Sequence, residues 1–272
     1  MLEITAIIFS KNRPLQLYAL LESMRKHTNM PLCDVNVLYR ADHDFIIPME
    51  VLKTSFPEVS FHTEHNFKSQ VESLVSSAKK HIVFFTDDDV FKDNVDFVGP
   101  CFILHNNPHV ICFSLRLGKH LTYCYSTQSP QTVPQGITRE PFFFWQWKNA
   151  SWDWNYVFSV DGHVFRKTDT ETALKMIDGW KSPNTFEGML SHLHPRLPHP
   201  EMACYTTSCL FNIPHNKVQT EINNEFGGGS EYEFLDIWND GKKIDVSTFH
   251  KIKNVSAHQL VQVSFVPREP QP

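Results

Sequence analysis

Three consecutive acidic residues, Asp87, Asp88 and Asp89, are the side chains in this sequence with the clearest chemical potential. They follow an apolar run of Ile, Val and Phe, residues 82–85, which predicts a strand buried on both faces. Two like charges about 4 Å apart repel by about 4 kcal/mol at an effective dielectric near 20, so three neighbouring carboxylates favour a bound cation. Oxygen ligands suit Mg²⁺ or Mn²⁺. The run therefore predicts a divalent metal, with a solvated acidic turn as the alternative.

A second group of polar residues, Ser10, Lys11 and Arg13, follows the apolar run 4–9 and precedes Pro14. Proline is favoured in the first turn of a helix, so a helix is expected to begin here. The N-terminus of a helix attracts anions through its free N–H groups and its dipole. Lys11 and Arg13 are therefore candidates to contact the phosphates or the base of a nucleotide, and ordinary surface charge is the alternative.

The elements that must position these two loops alternate between strand and helix. Helices are predicted from Pro14, over 48–55, after a capping box at Ser69–Glu72, and around Gly99. Strands are predicted at 4–9, 35–41, 59–63, 82–85, 110–115 and 205–213. This alternation predicts an α/β fold with a mostly parallel sheet flanked by helices. Ligands of such sheets bind beyond the carboxyl ends of the strands, so both loops are expected to line one crevice.

A long segment, 119–157, is polar at first and then aromatic. A loop of this length inside a compact domain is usually functional. Aromatic rings stack on the apolar faces of sugars and bases, so the tryptophans of this segment are candidates to line an acceptor site, and simple cover of the sheet is the alternative. These tryptophans are Trp145, Trp147, Trp152 and Trp154.

Two further acidic residues are candidates for catalysis. Asp161 lies in a predicted strand or hairpin, 157–166, beside Gly162, which indicates a close approach of the backbone to another group, and His163. Asp161 and His163 either face the crevice or are structural. Glu187 lies near the start of a helix predicted from Ser182 and falls off its apolar stripe. It is a candidate to take a proton from an acceptor hydroxyl, and an ordinary first-turn glutamate is the alternative.

The C-terminal part offers a late metal ligand, His215, and a phosphate contact, Lys217. Three glycines, 227–229, form a flexible stretch before a helix predicted at 231–239 with Gly241 as its C-cap. This stretch either lets a lid close over a diphosphate or is an idle surface loop. The tail 267–272 is expected to be disordered.

Composition limits the function classes. The chain has 272 residues, 41% of them hydrophobic, which is ample for a sizeable core. A net charge of −5 and scattered basic residues give no basic field, so nucleic acid is not expected as a partner. No apolar run is long enough for a signal or a transmembrane segment. Six cysteines without zinc or disulfide spacing are expected to be reduced, which favours a cytoplasmic location, with peripheral membrane attachment as a variant.

The order of these features resembles the nucleotide-sugar glycosyltransferases of the GT-A fold. The resemblance covers roughly residues 3–195. It is carried by the run from Ile7 to Pro14, by the Asp-x-Asp element in 84–89, by the strand containing Gly162, and by Glu187 opening a late helix. The resemblance implies a metal-dependent transfer of a sugar from a nucleoside-diphosphate sugar to a hydroxyl acceptor, such as a glycan, a glycolipid or a polysaccharide precursor. Residues 1–115 would form the donor half of the domain and 116–266 the acceptor and catalytic half.

The resemblance also implies roles for individual residues. Asp87 would contact the ribose or the metal, and Asp89 would ligate Mn²⁺ or Mg²⁺. Glu187 and Asp161 would be catalytic, and His215 would join the metal ligands. The predicted nucleotide-binding residues are Ser10, Lys11, Arg13, Lys68, Asp87 and Asp88. The predicted acceptor-binding residues are Trp145, Trp147, Trp152 and Gly162. Whether the anomeric configuration is inverted or retained stays open.

Three other functions remain as alternatives. A phosphatase of the haloacid-dehalogenase type also places an aspartate nucleophile after a buried strand, but its nucleophile strand comes first in the domain, and Phe91 stands where it carries Thr or Val. A sugar-nucleotide nucleotidyltransferase opens with a glycine-rich loop, which is missing from the first loop here. A nucleotide- or carbohydrate-binding protein without turnover is the non-enzyme alternative.

Overall fold

A computed structural model describes residues 2–215 and 230–268 of the chain. The helices are α1 (Pro14–His27), α2 (Ile46–Ser55), α3 (Phe67–Ser77), α4 (Val98–Asn106), α5 (Lys167–Leu174), α6 (Pro183–Ser191) and α7 (Glu231–Asn239). The first eight strands are β1 (Ile4–Lys11), β2 (Val35–Arg40), β3 (Ser60–Thr63), β4 (His81–Thr86), β5 (Asp89–Phe91), β6 (Val110–Ser114), β7 (Tyr123–Cys124) and β8 (Ser129–Pro130). The remaining strands are β9 (Gly136–Arg139), β10 (Phe142–Gln146), β11 (His163–Arg166), β12 (Glu201–Tyr205), β13 (Leu210–Asn212), β14 (Lys242–Ile244) and β15 (Phe265–Pro267).

The centre of the molecule is a nine-stranded sheet with the order β3-β2-β1-β4-β11-β6-β12-β10-β9. The strands β3, β2, β1 and β4 are parallel neighbours, and β12 pairs in parallel with β6. Only β11 and β10 run against the others within this sheet. The predicted α/β fold with a mostly parallel sheet is confirmed. The sheet also runs without a break through the two predicted halves of the domain.

Both faces of the sheet are buried, as the uninterrupted apolar runs predict. In β1 the side chains of Ile4, Ala6 and Ile8 pack in one core cluster with α1, while Ile7 and Phe9 pack in a second cluster with α3. Pro14 stands in the first turn of α1, as expected. The pairing of Phe9 with Thr86 places the carboxyl ends of β1 and β4 side by side.

Two elements differ from their sequence predictions. The capping box at Ser69–Glu72 is wrong, because α3 begins earlier and Asn66 caps it by accepting a hydrogen bond from the Ser69 N–H at 3.0 Å. The single strand predicted at 205–213 is two strands, β12 and β13, which belong to different sheets. β13 leaves the central sheet to pair with β5, directly after the acidic run.

The C-terminal segment packs against α1, near the start of the chain. α7 has the predicted bounds, and its Trp238 packs edge-on against Tyr18 of α1, with ring centroids 5.8 Å apart. Lys217, the glycines 227–229 and most of the predicted disordered tail lie outside the described residues. Within the described ranges, the structure contains no helix with both the length and the apolarity that a membrane crossing requires.

Candidate active site

The loops that follow β1 and β4 meet through a buried ion cluster. The Arg13 Nη1 atom donates to Asp87 Oδ1 at 2.9 Å and to Asp88 Oδ2 at 3.0 Å. The second oxygen of Asp87 accepts the backbone N–H of Lys11 at 3.1 Å, and the Ser10 hydroxyl lies beside the same carboxyl group. The two loops therefore meet, as expected, beside a crevice lined by Asp87 and Asp88, and Ser10, Lys11 and Arg13 lie next to these carboxylates.

Asp89 points into the protein rather than to the surface. Its side chain is fully buried, and one carboxylate oxygen accepts the backbone N–H of Thr86 at 3.1 Å. The other oxygen, Oδ1, is buried without a hydrogen-bond partner. Burial, followed by the charges of Asp161 and Asp88, raises the pKa of Asp89 well above its ordinary value. A buried carboxylate oxygen without a donor is rare in folded proteins and indicates a missing partner.

Thr86 links the two acidic groups of the crevice. Its hydroxyl oxygen lies 2.8 Å from Asp88 Oδ1 and 2.8 Å from Asp161 Oδ1. A hydroxyl carries one proton, so it donates to one of these carboxylates at a time. Asn212 of β13 donates its amide N–H to Asp88 Oδ1 at 2.8 Å. The acidic run and Asp161 thus belong to one hydrogen-bonded network.

Asp161 is held by two basic side chains. It precedes β11, which runs against β4, so its position at the start of a strand falls at the same sheet edge as the ends of β1 and β4. Its Oδ2 atom lies 3.1 Å from Arg116 Nη1 and 3.3 Å from His258 Nε2. Burial opposes ionisation of Asp161, but His258, Arg116 and Thr86 together hold its pKa below the ordinary value.

Glu187, on the second turn of α6, faces the same edge. Its Oε1 atom accepts the backbone N–H of Val160 at 3.0 Å, and the Tyr156 hydroxyl lies beside its carboxyl group. Burial raises the pKa of Glu187 to about 7, and the charge of Asp161 adds to this effect, while Arg116 acts against it. A carboxylate that takes up and releases a proton near neutral pH is suited to general base catalysis.

Asp89, one of the predicted metal ligands, offers a carboxylate oxygen that could bind a divalent ion. In residues 2–215 and 230–268, no group of three or more His, Cys, Asp and Glu side chains is arranged around one point. Mg²⁺, however, usually takes only one or two carboxylates and completes its shell with water and substrate phosphates. The unpartnered Oδ1 of Asp89 meets that requirement. Each oxygen of Asp87 accepts one hydrogen bond, from Lys11 or Arg13, and keeps a second lone pair, so its role as a metal ligand stays a prediction.

His215 lies close to the acidic run and is hydrogen-bonded to the C-terminal segment. It shares a cavity with Asp87 and Asp88, which the apolar side chains of Phe234 and Ile244 also line. Its Nε2–H donates to the carbonyl of Val261 at 2.9 Å, which leaves the lone pair on Nδ1, so its role as a metal ligand stays a prediction.

The aromatic segment divides into buried and exposed members. Trp145, Trp147 and Trp154 are each at most 2% exposed. The indole N–H of Trp145 donates to the carbonyl of Trp154 at 2.8 Å, and that of Trp147 to the carbonyl of His199 at 2.7 Å. These three residues cover the sheet, as the alternative interpretation held. Trp152 is different, because it is 49% exposed and has a φ of 55°, a strained value for a bulky residue.

The remaining predicted residues lie as follows. Gly162 has a φ of 72°, and an added Cβ would stand 2.3 Å from Leu210 Cδ2, so its close approach is to the protein's own β13. His163 is fully buried, its Nδ1–H donates to the carbonyl of Val157 at 2.9 Å, and burial lowers its pKa to about 3. Lys68 forms an exposed ion pair with Asp178. The structure thus gives His163 the structural role and places Lys68 in a surface pair.

Sequence reasoning missed four residues of the network. Arg116 follows β6 in an otherwise apolar run, a signal that was available, and Asn212 likewise stands alone among apolar residues. Tyr156 lies five residues before Asp161, and its contact with Glu187 depends on the position of α6. His258 has no local signal, because only the path of the C-terminal segment brings it to Asp161.

These features define an α/β protein with a crevice at the carboxyl edge of its sheet that is lined by carboxylates, and with two buried arginines paired to the acidic side chains there. No protein-family model matches the chain. A bifunctional glycosyltransferase of Dictyostelium discoideum, pgtA, is 26% identical to it over 211 residues. This match covers 68% of the chain and 27% of pgtA, so the chain spans about a quarter of that relative's length.

Solved structures with a related arrangement of elements are more distant. S. aureus TarS 1–349 in complex with UDP is 15% identical, with a TM-score of 0.44, and the match covers 76% of this chain and 58% of TarS. The mannosyltransferase PcManGT from Pyrobaculum calidifontis, in complex with GDP-Man and Mn²⁺, is 10% identical, with a TM-score of 0.38 and coverage of 68% and 50%. With TM-scores below 0.5, neither likeness supports a functional conclusion.

Proposed function

We propose that this chain is a glycosyltransferase domain of the GT-A type, which transfers a sugar from a nucleoside-diphosphate sugar to a hydroxyl group of a glycan or a related acceptor. The observation that carries the proposal is the meeting of three groups at one sheet edge. They are the Arg13–Asp87–Asp88 cluster, the unpartnered oxygen of Asp89, and Glu187, whose pKa is raised to about 7. The similarity to a bifunctional glycosyltransferase supports sugar transfer over phosphate hydrolysis.

On the donor side, Ser10, Lys11 and Arg13 would contact the nucleotide, and Asp89 would hold Mn²⁺ or Mg²⁺. The ion would supply positive charge for the departing nucleoside diphosphate. Arg13 alone cannot supply that charge, because Asp87 and Asp88 already neutralise it. The protein's own contribution is to orient the diphosphate and to keep the carboxylates of the crevice in place.

On the acceptor side, Glu187 would take the proton from the attacking hydroxyl. A base works best when its pKa lies near the operating pH, since it is then both available and basic enough. The N–H of Val160 and the hydroxyl of Tyr156 fix the direction of its carboxyl group. The exposed ring of Trp152, four residues before Tyr156, offers an apolar face for a sugar acceptor.

The test separates donor binding from chemistry with two isosteric variants. Calorimetry with UDP, GDP and dTDP in the presence of Mn²⁺ identifies the nucleotide, and the matching sugar donors then serve in transfer and donor-hydrolysis assays. Asp89→Asn is expected to abolish Mn²⁺-dependent nucleotide binding. Glu187→Gln is expected to bind the nucleotide as the wild type does and to lose about 10²- to 10⁴-fold in transfer.

Asp93→Asn, which removes a carboxylate two residues beyond the end of β5, is the matched control and should leave both measurements unchanged. Nucleotide binding without sugar transfer or donor hydrolysis in the wild type would favour the binding-protein alternative. Unchanged nucleotide affinity in Asp89→Asn would refute the metal assignment.

A further inference from the structure

The backbone of Asn212, in β13, is fixed on both sides. On one side Asn212 pairs with Asp89 in the antiparallel ladder of β13 and β5. On the other side its N–H donates to the carbonyl of Ala257 at 2.9 Å, and its carbonyl accepts the N–H of Gln259 at 2.9 Å. The residue is only 4% exposed. Its side-chain amide is therefore held in a fixed place relative to the acidic run.

The Asn212 amide contacts two oxygens at the end of β4. Its Nδ2 atom lies 2.8 Å from Asp88 Oδ1 and 3.2 Å from the hydroxyl oxygen of Thr86. An amide nitrogen carries two hydrogens, so it can donate to both oxygens at once. The next residue adds a backbone contact, because the N–H of Ile213 donates to the Asp88 carbonyl at 2.9 Å. β13 thus restrains both the side chain and the main chain of Asp88.

Asp88 in turn connects β13 to the end of β1 and to the residues that follow it. Its second oxygen, Oδ2, accepts a hydrogen bond from Arg13 Nη1 at 3.0 Å, and the same nitrogen donates to Asp87 Oδ1 at 2.9 Å. The other oxygen of Asp87 accepts the N–H of Lys11 at 3.1 Å. A continuous series of four hydrogen bonds therefore joins the Asn212 side chain to the backbone of Lys11.

This series of hydrogen bonds is well suited to transmit a restraint. Each of its four bonds has a carboxylate oxygen as the acceptor, and such charge-assisted bonds are about twice as strong as neutral ones. The side chains of Arg13, Asp87 and Asp88 are 9%, 4% and 16% exposed, so water competes little for them. A change at Asn212 is therefore expected to reach the nucleotide side of the crevice.

We propose that Asn212 is a positioning residue of the donor site, which acts through Asp88 to hold the end of β1 and the acidic run in the arrangement that binds a nucleotide and its metal ion. The effect on nucleotide binding rests on the proposed function. The coupling of Asn212 to the backbone of Lys11 does not, because it depends only on the series of hydrogen bonds.

The consequence of removing the amide follows from the donors that remain. Asp88 Oδ1 would keep the hydroxyl of Thr86, which also lies 2.8 Å from Asp161 Oδ1 and has only one proton to donate. The Asp88 carboxylate would be less restrained on the side of β13. Arg13, and through Asp87 the N–H of Lys11, would be held less firmly as well.

The test measures the exchange of the Lys11 amide hydrogen by NMR, since this rate reports how often its bond to Asp87 opens. Asn212→Ala removes the side-chain amide, and Asn212→Leu replaces it by an apolar group of similar size. In both variants the Lys11 hydrogen is expected to exchange about tenfold faster or more, because bonds to charged groups are among the stronger ones. The amide of Ile7, inside β1 and between two neighbouring strands, should keep its rate.

The same variants are then titrated with UDP, GDP and dTDP in the presence of Mn²⁺. Their nucleotide affinity is expected to fall by about 3- to 30-fold, the usual range for a residue that acts through others. In the Asp88→Ala background, Asn212→Ala should have no further effect on either measurement, because the connection through Asp88 is already interrupted. Additive effects of the two substitutions would contradict the proposed route.

Asn107→Leu is the matched control, because it removes an amide that donates at 2.8 Å to the carbonyl of Ile103, at the end of α4. It should change neither the Lys11 rate nor the nucleotide affinity. An unchanged Lys11 rate in both Asn212 variants, or an equal acceleration at Ile7 or in Asn107→Leu, would overturn the inference even if the protein transfers sugar.

Two further outcomes separate this inference from the proposed function. Faster Lys11 exchange with unchanged nucleotide affinity would show that Asn212 does not position the donor site. Faster exchange at Lys11 alone, in a protein whose wild type binds no nucleotide, would uphold the coupling and refute the proposed function instead.

Discussion

At the scale of single residues, Arg13 is the side chain on which the acidic crevice most depends. One guanidinium nitrogen contacts both Asp87 and Asp88, and the side chains of Arg13 and Asp87 are less than a tenth exposed. Charges that lose water in this way must be compensated by neighbours, since an isolated buried carboxylate is strongly unfavourable. The neighbouring acids are therefore compatible with folding only while this cation, or a substitute for it, is present.

Arg13→Ala is expected to lower the free energy of unfolding by about 3–5 kcal/mol, because it leaves two carboxylates without their shared cation. Urea denaturation at neutral pH measures the loss. Lys80→Ala provides the comparison, since Lys80 forms an exposed pair with Glu3 at 3.5 Å, and such pairs contribute about 0–1 kcal/mol. Equal losses in the two variants would show that Asp87 and Asp88 do not need Arg13.

Part of this site could be predicted from the sequence, and part could not. Arg13 and the run from Asp87 to Asp89 follow apolar strands directly, so their place at the strand ends could be predicted from local pattern. The partners of Asp161 could not be predicted from local pattern, because Arg116 and His258 lie 45 and 97 residues away from it in the chain. The burial of three of the four candidate tryptophans was also undecidable, since a stacking surface and a core have the same composition.

At the scale of elements, the antiparallel direction of β11 decides where Asp161 lies. The strand runs against β4 and β6, and Gly162 makes the turn into it with a φ of 72°. Residues with a side chain rarely adopt this conformation. The glycine also leaves room for Leu210 of β13, the strand whose Asn212 binds Asp88. The sequence indicated a close approach at this glycine, although the antiparallel direction of β11 needed the whole sheet.

Gly162→Ala is expected to lower the free energy of unfolding by about 1–3 kcal/mol, from backbone strain and from crowding against Leu210. The midpoint of thermal or urea unfolding checks this. Gly188→Ala is the matched control, because Gly188 lies inside α6 with nothing within 4 Å of an added Cβ. There alanine should raise stability by about 0.5–1 kcal/mol. If Gly162→Ala, like Gly188→Ala, does not lower the free energy of unfolding, the turn tolerates a side chain.

At the scale of the whole molecule, the ionisation of Glu187 makes the free energy of unfolding depend on pH. Its pKa is raised from 4.5 to about 7, so between these values the folded protein binds more protons than the unfolded chain. Stability contributed by this group is therefore fully present below about pH 4.5 and is lost as the pH rises towards 7. The candidate base is retained at a cost in stability, as is usual for functional groups with a shifted pKa.

Glu187→Gln removes this pH-dependent penalty. Relative to the wild type, the variant is expected to become more stable by about 2–3 kcal/mol between pH 4.5 and pH 8, from the size of the pKa shift. Urea denaturation of both proteins across this range gives the difference in the free energy of unfolding. A difference that stays constant with pH would show that Glu187 ionises alike in the folded and unfolded states.

The insertion of β11 between β4 and β6 has a kinetic consequence. β1 pairs with β2 across 29 residues (Ala6 with Val35) and β2 with β3 across 24 (Asn36 with Ser60), whereas β1 and β4 pair across 77 (Ile4 with His81). β11 must find β4 about 80 residues back along the chain, and His258 arrives almost a hundred residues later still. Contacts between distant residues form slowly, because loop closure costs entropy before any contact compensates it. During synthesis β1 to β4 thus emerge long before Asp161 and His258, which complete the network around the acidic run.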